Sequence, residues 1–238
     1  MLSLVQLQDF IIKIQPIETL CVLQQVFREA IKPTGLDKHS CVSLVDMTNP
    51  PFNAIQFFDF PEEWVNRYIS KAYYKDDIVL KSILKNTGPY LWKNLDKSDK
   101  RNRQIYAEAK EFGIYDGMTV PFTLPGYYPG GINMAGEHVD ISPDSYHVLH
   151  LMAEYYLWKI IELGQGNDYL PILPKLSPRE IECLALMAKG KSDSMIGKIL
   201  ALSPRTVSSY MENIRTKYNV HTRTQAVAVA VFIGLIRP

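Results

Sequence analysis

The sequence predicts two domains: an N-terminal α/β sandwich, in which helices flank an antiparallel sheet, and a small all-α domain at the C-terminus. The length of 238 residues suits two such domains. Runs of helix, strands, helices, strands and helix follow one another up to residue 164, which favours the sandwich. Residues 165–175 hold Gly, Pro, Asn and Asp without a regular period, as linkers do. We therefore assign residues 1–164 and 176–238 to the two domains.

The first domain contains four segments with helical spacing and four with strand-like composition. In the helical segments apolar residues recur every three or four positions, and these segments are residues 5–31, 64–84, 103–112 and 143–163. The strand-like segments are rich in β-branched, aromatic and other apolar residues, and they are residues 41–47, 54–60, 118–123 and 131–136. The breaker Asn49-Pro50-Pro51 separates the first two strands, which predicts a hairpin. The charged run 97–103 is interpreted as a solvated loop.

Helix-start signals divide the second domain into four short helices. Ser177-Pro178-Arg179-Glu180 is a capping box with proline at the first helical position, and Gly190 ends this helix. Ser192 and Ser203 are placed to cap the second and third helices. The apolar segment after Thr222 alternates like a strand, but its capping residues and helical neighbours favour a helix. Such an apolar helix is a candidate for pairing with a second copy of the chain.

The second and third helices form a predicted helix-turn-helix. A short helix, a tight connection and a longer helix within about 25 residues are typical of this motif, whose longer helix can enter the major groove. Its exposed face offers donors for phosphates and base edges, namely Arg205, Thr206, Ser209, Asn213 and Lys217. Helical periodicity alone is also compatible with a small helical bundle that does not bind DNA.

Charge supports a polyanion as the partner of the second domain. From Lys175 onward the chain has ten Lys and Arg against four Asp and Glu, whereas the preceding residues have 16 against 21. Such an asymmetry favours nucleic acid at the basic end, although it is also compatible with an ordinary surface.

Composition excludes several classes of protein. With 47% hydrophobic and 21% charged residues the chain is unlike disordered, collagen or coiled-coil sequences. No apolar run reaches the roughly 18 residues that a membrane span needs, and Asp9 and Lys13 interrupt the N-terminal stretch where a signal peptide would be apolar. The expectation is a soluble cytoplasmic protein without a membrane partner. Three cysteines without C-x-x-C spacing predict neither disulfides nor a zinc site.

The motif LSPRE-(x)3-L-(x)5-GKS, followed by SPRTV and NI-(x)2-K, resembles the DNA-binding domain of LuxR-type regulators. The three most typical positions of that domain are matched by Glu180, Leu184 and Gly190. The resemblance adds Lys191, Ser203 and Tyr210 to the expected DNA contacts. Tyr210 stands where the recognition helix of the family usually has histidine.

The N-terminal domain resembles the autoinducer-binding domain of the same family. The residues that carry this resemblance are Trp64, Tyr68, Asp77, Trp92 and Gly117, in the order and spacing of the family. A departure is that isoleucine follows Asp77, where the family usually has proline. A response-regulator receiver is not indicated, because such a domain opens with an apolar strand that ends in paired acidic residues, whereas this chain opens with a helix.

The resemblance implies a quorum-sensing transcriptional regulator whose ligand is an N-acyl homoserine lactone. Asp77 would accept the ligand amide N–H, Trp92 would donate to the lactone carbonyl, and Tyr68 would donate to the acyl carbonyl. Trp64 would form a flat wall, and Gly117 would allow a close approach of the backbone. The expected partners are a double-stranded DNA operator, a second copy of the chain in a homodimer, and RNA polymerase as a further possibility. No cofactor or metal is expected.

Phe60 and Asn133 are two further candidate ligand contacts, and they leave the oxidation state of the acyl chain open. Many relatives have Tyr where Phe60 stands, and some have Ser or Thr where Asn133 stands. The alternatives are a sensor for another small molecule and a regulator that works without ligand. An enzyme in which Asp77 acts as a general base on a lactone is not supported, because the sequence has no nucleophile elbow, metal-ligand cluster or phosphate loop.

Overall fold

A computed structural model of the chain describes residues 2–51, 54–164 and 174–237. The chain divides into two compact units, one formed mainly by the N-terminal part of the chain and one mainly by the C-terminal part. Of the predicted linker, residues 165–173 lie outside the described residues. None of the helices in the described ranges is long and apolar enough to cross a membrane.

A five-stranded antiparallel sheet forms the centre of the N-terminal unit. Its strands in chain order are β1 Lys38–Ser43, β2 Gln56–Asp59, β3 Tyr90–Leu91, β4 Asp116–Phe122 and β5 Gly130–Gly136. Their spatial order is β2-β1-β5-β4-β3. The predicted hairpin of the first two strands is present, with Cys41 opposite Phe57. The short edge strand β3 was not predicted, because two residues are too few to show a period.

Helices cover both faces of this sheet, so the predicted α/β sandwich is confirmed. They are α1 Leu4–Ile14, α2 Leu20–Ile31, α3 Glu62–Ser70, α4 Ile78–Ile83, α5 Lys100–Lys110 and α6 Pro143–Gly164. His39 of β1 contacts Tyr156 of α6, which stacks on Phe27 of α2 with ring centroids 4.1 Å apart. Because side chains alternate along a strand, its neighbour Ser40 faces α3, α4 and α5 on the opposite side.

The helical segment predicted over residues 64–84 is not one continuous helix. It is divided into α3, a 3-10 turn at Tyr73–Lys75 and α4. Ala72 adopts a left-handed backbone with φ of 51°, which ends α3, and Asp77 caps the new helix. The solvated-loop interpretation of residues 97–103 is also wrong in part, because Asp99 caps α5 and places Lys100 in its first turn.

The C-terminal unit consists of four helices, α7 Pro178–Ala188, α8 Asp193–Leu200, α9 Pro204–Lys217 and α10 Arg223–Phe232. Both capping boxes are formed, at Ser177 with Glu180 and at Thr222 with Gln225, so the last apolar segment is a helix. These helices share one apolar core.

A tight turn joins α8 to α9 and gives them helix-turn-helix geometry. Ala201 has a left-handed backbone with φ of 55°, and the Leu202 N–H donates to the Gly197 carbonyl at 2.8 Å. A Cβ at Gly197 would lie 2.6 Å from the Leu202 carbonyl oxygen, so this approach requires glycine. Ser203 then caps α9 by accepting from the Thr206 N–H.

Candidate functional site

A cavity of about 70 Å³ lies between the sheet and helices α3, α4 and α5. Most of its lining is apolar. Its polar side chains come from the strands and from all three helices, and they include Ser40, Tyr68, Asp77, Tyr106 and Asn133. A largely apolar cavity with a few convergent polar groups is typical of a small-molecule site.

The structure places six of the seven predicted ligand contacts on this cavity. They are Phe60, Trp64, Tyr68, Asp77, Trp92 and Asn133. Gly117 does not line it. It lies on β4 against the Trp92 ring, so its place is behind the indole and not at the cavity surface.

Asp77 is both the N-cap of α4 and a polar group of the cavity. Its Oδ1 accepts from the Val79 N–H at 2.9 Å, and its Oδ2 accepts from the Tyr68 hydroxyl at 2.7 Å. The residue is only 8% exposed. Burial raises the pKa of Asp77, while the bonds from Tyr68 and Val79 act in the opposite direction. The side chain therefore has one oxygen used by the helix and one directed to Tyr68, with lone pairs left for a further donor.

A buried chain of hydrogen bonds follows the sheet from Trp92 to β1. The Trp92 indole N–H donates to Thr119 Oγ1 at 2.8 Å, and the Thr119 hydroxyl donates to Asn133 Oδ1 at 2.9 Å. Asn133 Nδ2 then donates to Ser40 Oγ at 3.1 Å. These bonds fix the orientation of the indole and of the Asn133 amide, because buried polar groups are costly to leave unpaired.

Sequence reasoning missed Ser40, Thr119 and Tyr106 as residues of this site. The position of Thr119 in the sequence could have indicated its role, because it is a polar residue between Met118 and Val120 in an apolar strand. Such a residue needs a buried partner. The position of Tyr106 is less informative, because a tyrosine within the apolar face of a helix most often belongs to the ordinary core.

Gly117→Ala is expected to lower the free energy of unfolding by about 1–3 kcal/mol, the usual cost of overpacking. An added Cβ would lie 2.2 Å from the Met134 carbonyl oxygen and 3.0 Å from the Trp92 ring, and the Met134 oxygen belongs to the backbone of a paired strand. Gly88→Ala is the matched control, because nothing lies within 4 Å of its added Cβ. Urea unfolding followed by tryptophan fluorescence measures both; equal midpoints would contradict close packing at Gly117.

The predicted DNA contacts of the C-terminal unit differ in exposure, and Lys217 also differs from the others in its ion pair. Ser203, Arg205, Ser209 and Asn213 are exposed at or along α9. Lys191, Thr206 and Tyr210 are half-buried, and Tyr210 packs against the core of the unit. Arg223 was not predicted to have a role in the helix-turn-helix. It links the two helices of this motif by donating to Asp193 of α8 and to Ser208 of α9.

Lys217 has a different environment from the other candidates. Its ammonium lies 2.7 Å from the Glu180 carboxylate, which is 3% exposed and also accepts from the Ser177 N–H. Burial opposes ionisation of Glu180, but Lys217 and Ser177 outweigh it and lower the pKa of this carboxyl. The lysine thus neutralises a buried carboxylate that caps α7. Its role as a DNA contact stays a prediction.

Within the described ranges, no set of three or more His, Cys, Asp or Glu side chains is arranged to hold a metal ion.

Comparisons with known proteins match both units. Residues 23–160 match a family model described as autoinducer binding domain, and residues 174–230 match one described as bacterial regulatory proteins, luxR family. The quorum sensing-dependent transcriptional regulator RpaR of Rhodopseudomonas palustris is 30% identical over 185 residues, which cover 75% of this chain and 73% of RpaR. The transcriptional activator BjaR1 of Bradyrhizobium diazoefficiens is 29% identical over 182 residues, which cover 75% and 74%. These relatives are transcriptional regulators and not enzymes.

A solved structure has the same fold over the whole chain. Escherichia coli SdiA superposes with a TM-score of 0.82 at 24% identity and covers 99% of both chains. A second SdiA structure, in complex with octanoyl-rac-glycerol, gives a TM-score of 0.81 at 23% identity, with 99% of this chain and 98% of that chain covered.

Proposed function

The chain belongs to the LuxR family of regulators, with an autoinducer-binding domain and a LuxR-type DNA-binding domain, and from this premise we propose that it senses an N-acyl homoserine lactone. The observation that carries the proposal is the meeting of Tyr68, Asp77 and Trp92 on one apolar cavity. Together they supply an acceptor for an amide and two donors for two carbonyls. The proposal includes no cofactor beyond this ligand.

Ligand binding would exchange hydrogen bonds that already exist in the cavity. The single indole donor of Trp92 is held by Thr119, and the Tyr68 hydroxyl is held by Asp77. Donation to a lactone carbonyl and an acyl carbonyl therefore requires both donors to turn toward the ligand. Thr119 would keep its own bond to Asn133, and Asp77 would receive the ligand amide in place of Tyr68. Such an exchange leaves none of the side chains that take part in it without a partner.

A second candidate ligand is an acylated molecule without a lactone ring. SdiA, which shares this fold, was solved in complex with octanoyl-rac-glycerol. The apolar lining of the cavity is compatible with any short acyl tail, so the choice depends on the polar head. A monoacylglycerol has hydroxyl groups and an ester but no amide N–H for Asp77.

We expect the correct ligand to stabilise the purified full-length protein against heat and urea. At a free concentration one hundred times the dissociation constant, a ligand that binds only the folded state adds about 2.7 kcal/mol. Thermal melts with N-acyl homoserine lactones of graded chain length, and with octanoyl-glycerol, measure this effect. The lactone proposal fails if no lactone shifts the melt, and operator binding by the ligand-free protein would then favour a ligand-independent regulator.

The proposed action on DNA is that of a homodimer on a partly palindromic operator in the cytoplasm, with RNA polymerase as a further partner. One α9 helix reads only a few base pairs, so two copies are needed for a specific site. Exposed apolar side chains on α6 would suit the pairing of two copies, namely Leu151, Tyr155 and Trp158. Their spacing puts them on one face of the helix, and Trp158 is 62% exposed. Sedimentation of the protein with operator DNA tests this; a monomer that binds one half-site at full affinity would contradict it.

A further inference from the structure

We propose that the hydroxyl of Tyr106 binds an oxygen near the amide end of the ligand's acyl chain, so that the cavity selects a 3-oxo or 3-hydroxy chain over an unsubstituted one. This inference rests on the proposed lactone function. It assigns a specificity contact to a residue of α5 that was not among the predicted ligand contacts.

The first observation is that the Tyr106 hydroxyl has no hydrogen-bond partner among the described residues, although water does not reach it. The other polar side chains of the lining are paired: Tyr68 with Asp77, Trp92 with Thr119, and Asn133 with Ser40. Of the buried polar atoms without a partner in the described ranges, Tyr106 Oη is the one that belongs to a residue of the cavity lining. A buried hydroxyl without a partner is unfavourable, and it marks a place where a ligand oxygen would be bound.

The second observation is that this hydroxyl has a proton to donate. Burial raises the pKa of Tyr106, and the negative charges of Asp77 and Asp116 raise it further, so the phenol keeps its proton. The Lys97 ammonium lies 4.2 Å from the centre of the Tyr106 ring, over its face, which holds the ring in place. A protonated phenol among carboxylates is suited to a ligand acceptor, such as a ketone or hydroxyl oxygen.

The third observation concerns the position of the contact along the ligand. Tyr106 lines the same cavity of about 70 Å³ as Tyr68 and Asp77, the pair that would bind the amide. The oxygen that it reaches therefore belongs to the first carbons of the chain. On the same helix Ile105 and Ala109 line the cavity with apolar surface, which fits the unsubstituted remainder of a tail.

The test compares three lactones on three proteins by calorimetric titration. The lactones are N-octanoyl, N-3-oxooctanoyl and N-3-hydroxyoctanoyl homoserine lactone, and the proteins are wild type, Tyr106→Phe and Tyr90→Phe. We expect wild type to bind an oxygenated lactone about 5- to 150-fold more tightly than the unsubstituted one, the range for an unmade buried hydrogen bond. Tyr106→Phe should abolish that ratio.

Tyr90→Phe is the matched control. The Tyr90 hydroxyl donates to the Val79 carbonyl at 2.6 Å, and Tyr90 does not line the cavity. This change should lower the urea midpoint of the ligand-free protein and keep the affinity ratio. Tyr106→Phe should keep or raise the urea midpoint, because it removes a hydroxyl that has no partner.

Three results would overturn the inference in distinguishable ways. An affinity ratio that persists in Tyr106→Phe with all three affinities unchanged, or that is absent in wild type, removes Tyr106 as the selector and leaves the lactone function intact. An equal loss for all three lactones in Tyr106→Phe means that the hydroxyl contacts the shared amide or lactone group. If wild type binds no lactone, the proposed function fails and this inference fails with it.

Discussion

Asp77→Ala is expected to weaken lactone binding by about 10- to 150-fold and to lower the free energy of unfolding by about 1–3 kcal/mol. Both effects are expected because the carboxylate has two roles. One oxygen caps α4 through the Val79 N–H, and the other accepts from Tyr68. Alanine would leave the helix start, the Tyr68 hydroxyl and the ligand amide without their acceptor. Calorimetric titration beside a urea melt measures the two quantities.

Asp77→Asn separates the two roles. Its carbonyl oxygen can keep the bond from the Val79 N–H, while its NH₂ group can donate to the Tyr68 hydroxyl. The cap would survive, but the acceptor for a ligand amide would become a donor. We therefore expect near-normal folding stability with a loss of affinity close to that of Asp77→Ala.

Asp99→Ala is the control for the loss of a helix cap away from the cavity. One Asp99 oxygen caps α5 by accepting from the Arg101 and Asn102 N–H groups, the other accepts from the Asn102 side chain, and Asp99 does not line the cavity. Its loss should cost about 1 kcal/mol of folding free energy without a comparable loss of lactone affinity. A folded Asp77→Ala protein with an unchanged dissociation constant would show that Asp77 is only a cap, and it would remove the main support for a lactone ligand.

The local parts of this structure could be predicted from the sequence. The capping boxes at Ser177 and Thr222 depend on residues three positions apart, so the pattern contains the whole interaction. The division of residues 64–84 could not be predicted in this way. Ala72 adopts a left-handed backbone that alanine rarely takes, and only the packing of the surrounding helices can impose it.

The candidate site was predictable as a set of residues but not as a network. The family spacing identified Trp92 and Asn133, yet their link through Thr119 depends on the pairing of β4 with β5, where Thr119 stands opposite Asn133. The contact of Lys217 could not be predicted for the same reason. Its position on α9 suggests a phosphate contact, and only the packing of α9 against α7 brings it to the buried Glu180.

Lys217→Ala is expected to lower the free energy of unfolding of the C-terminal unit by about 1–3 kcal/mol. Removal of one partner from a buried ion pair costs about 3–5 kcal/mol, and the cost is smaller here because the Lys217 side chain is 36% exposed and partly screened by solvent. After the change, the Glu180 carboxylate would remain buried without its cation. The Ser177 N–H, at 2.6 Å, would then be its main partner. Urea unfolding of the full chain, followed in the C-terminal unit, measures this loss.

A second change tests the cause. In the Lys217→Ala background, Glu180→Gln removes the unpaired charge, while the amide oxygen can still accept from the Ser177 N–H. We therefore expect the double variant to recover part of the lost stability. A double variant that is less stable than Lys217→Ala alone would contradict a buried charge as the cause.

Arg205→Ala separates this structural role from contact with DNA. Arg205 is exposed at the start of α9, where a recognition helix approaches the duplex. Its loss should leave the urea midpoint nearly unchanged, weaken operator binding and, if it contacts a phosphate, reduce the slope of log affinity against log salt by about 1 per protomer. For Lys217→Ala we expect a lower urea midpoint. A salt slope that is unchanged where the protein is folded would then mean that the ammonium stays with Glu180 and does not contact phosphate. A normal urea midpoint with a reduced slope would mean that Lys217 leaves Glu180 to bind phosphate, and the ion pair would then contribute little to the fold.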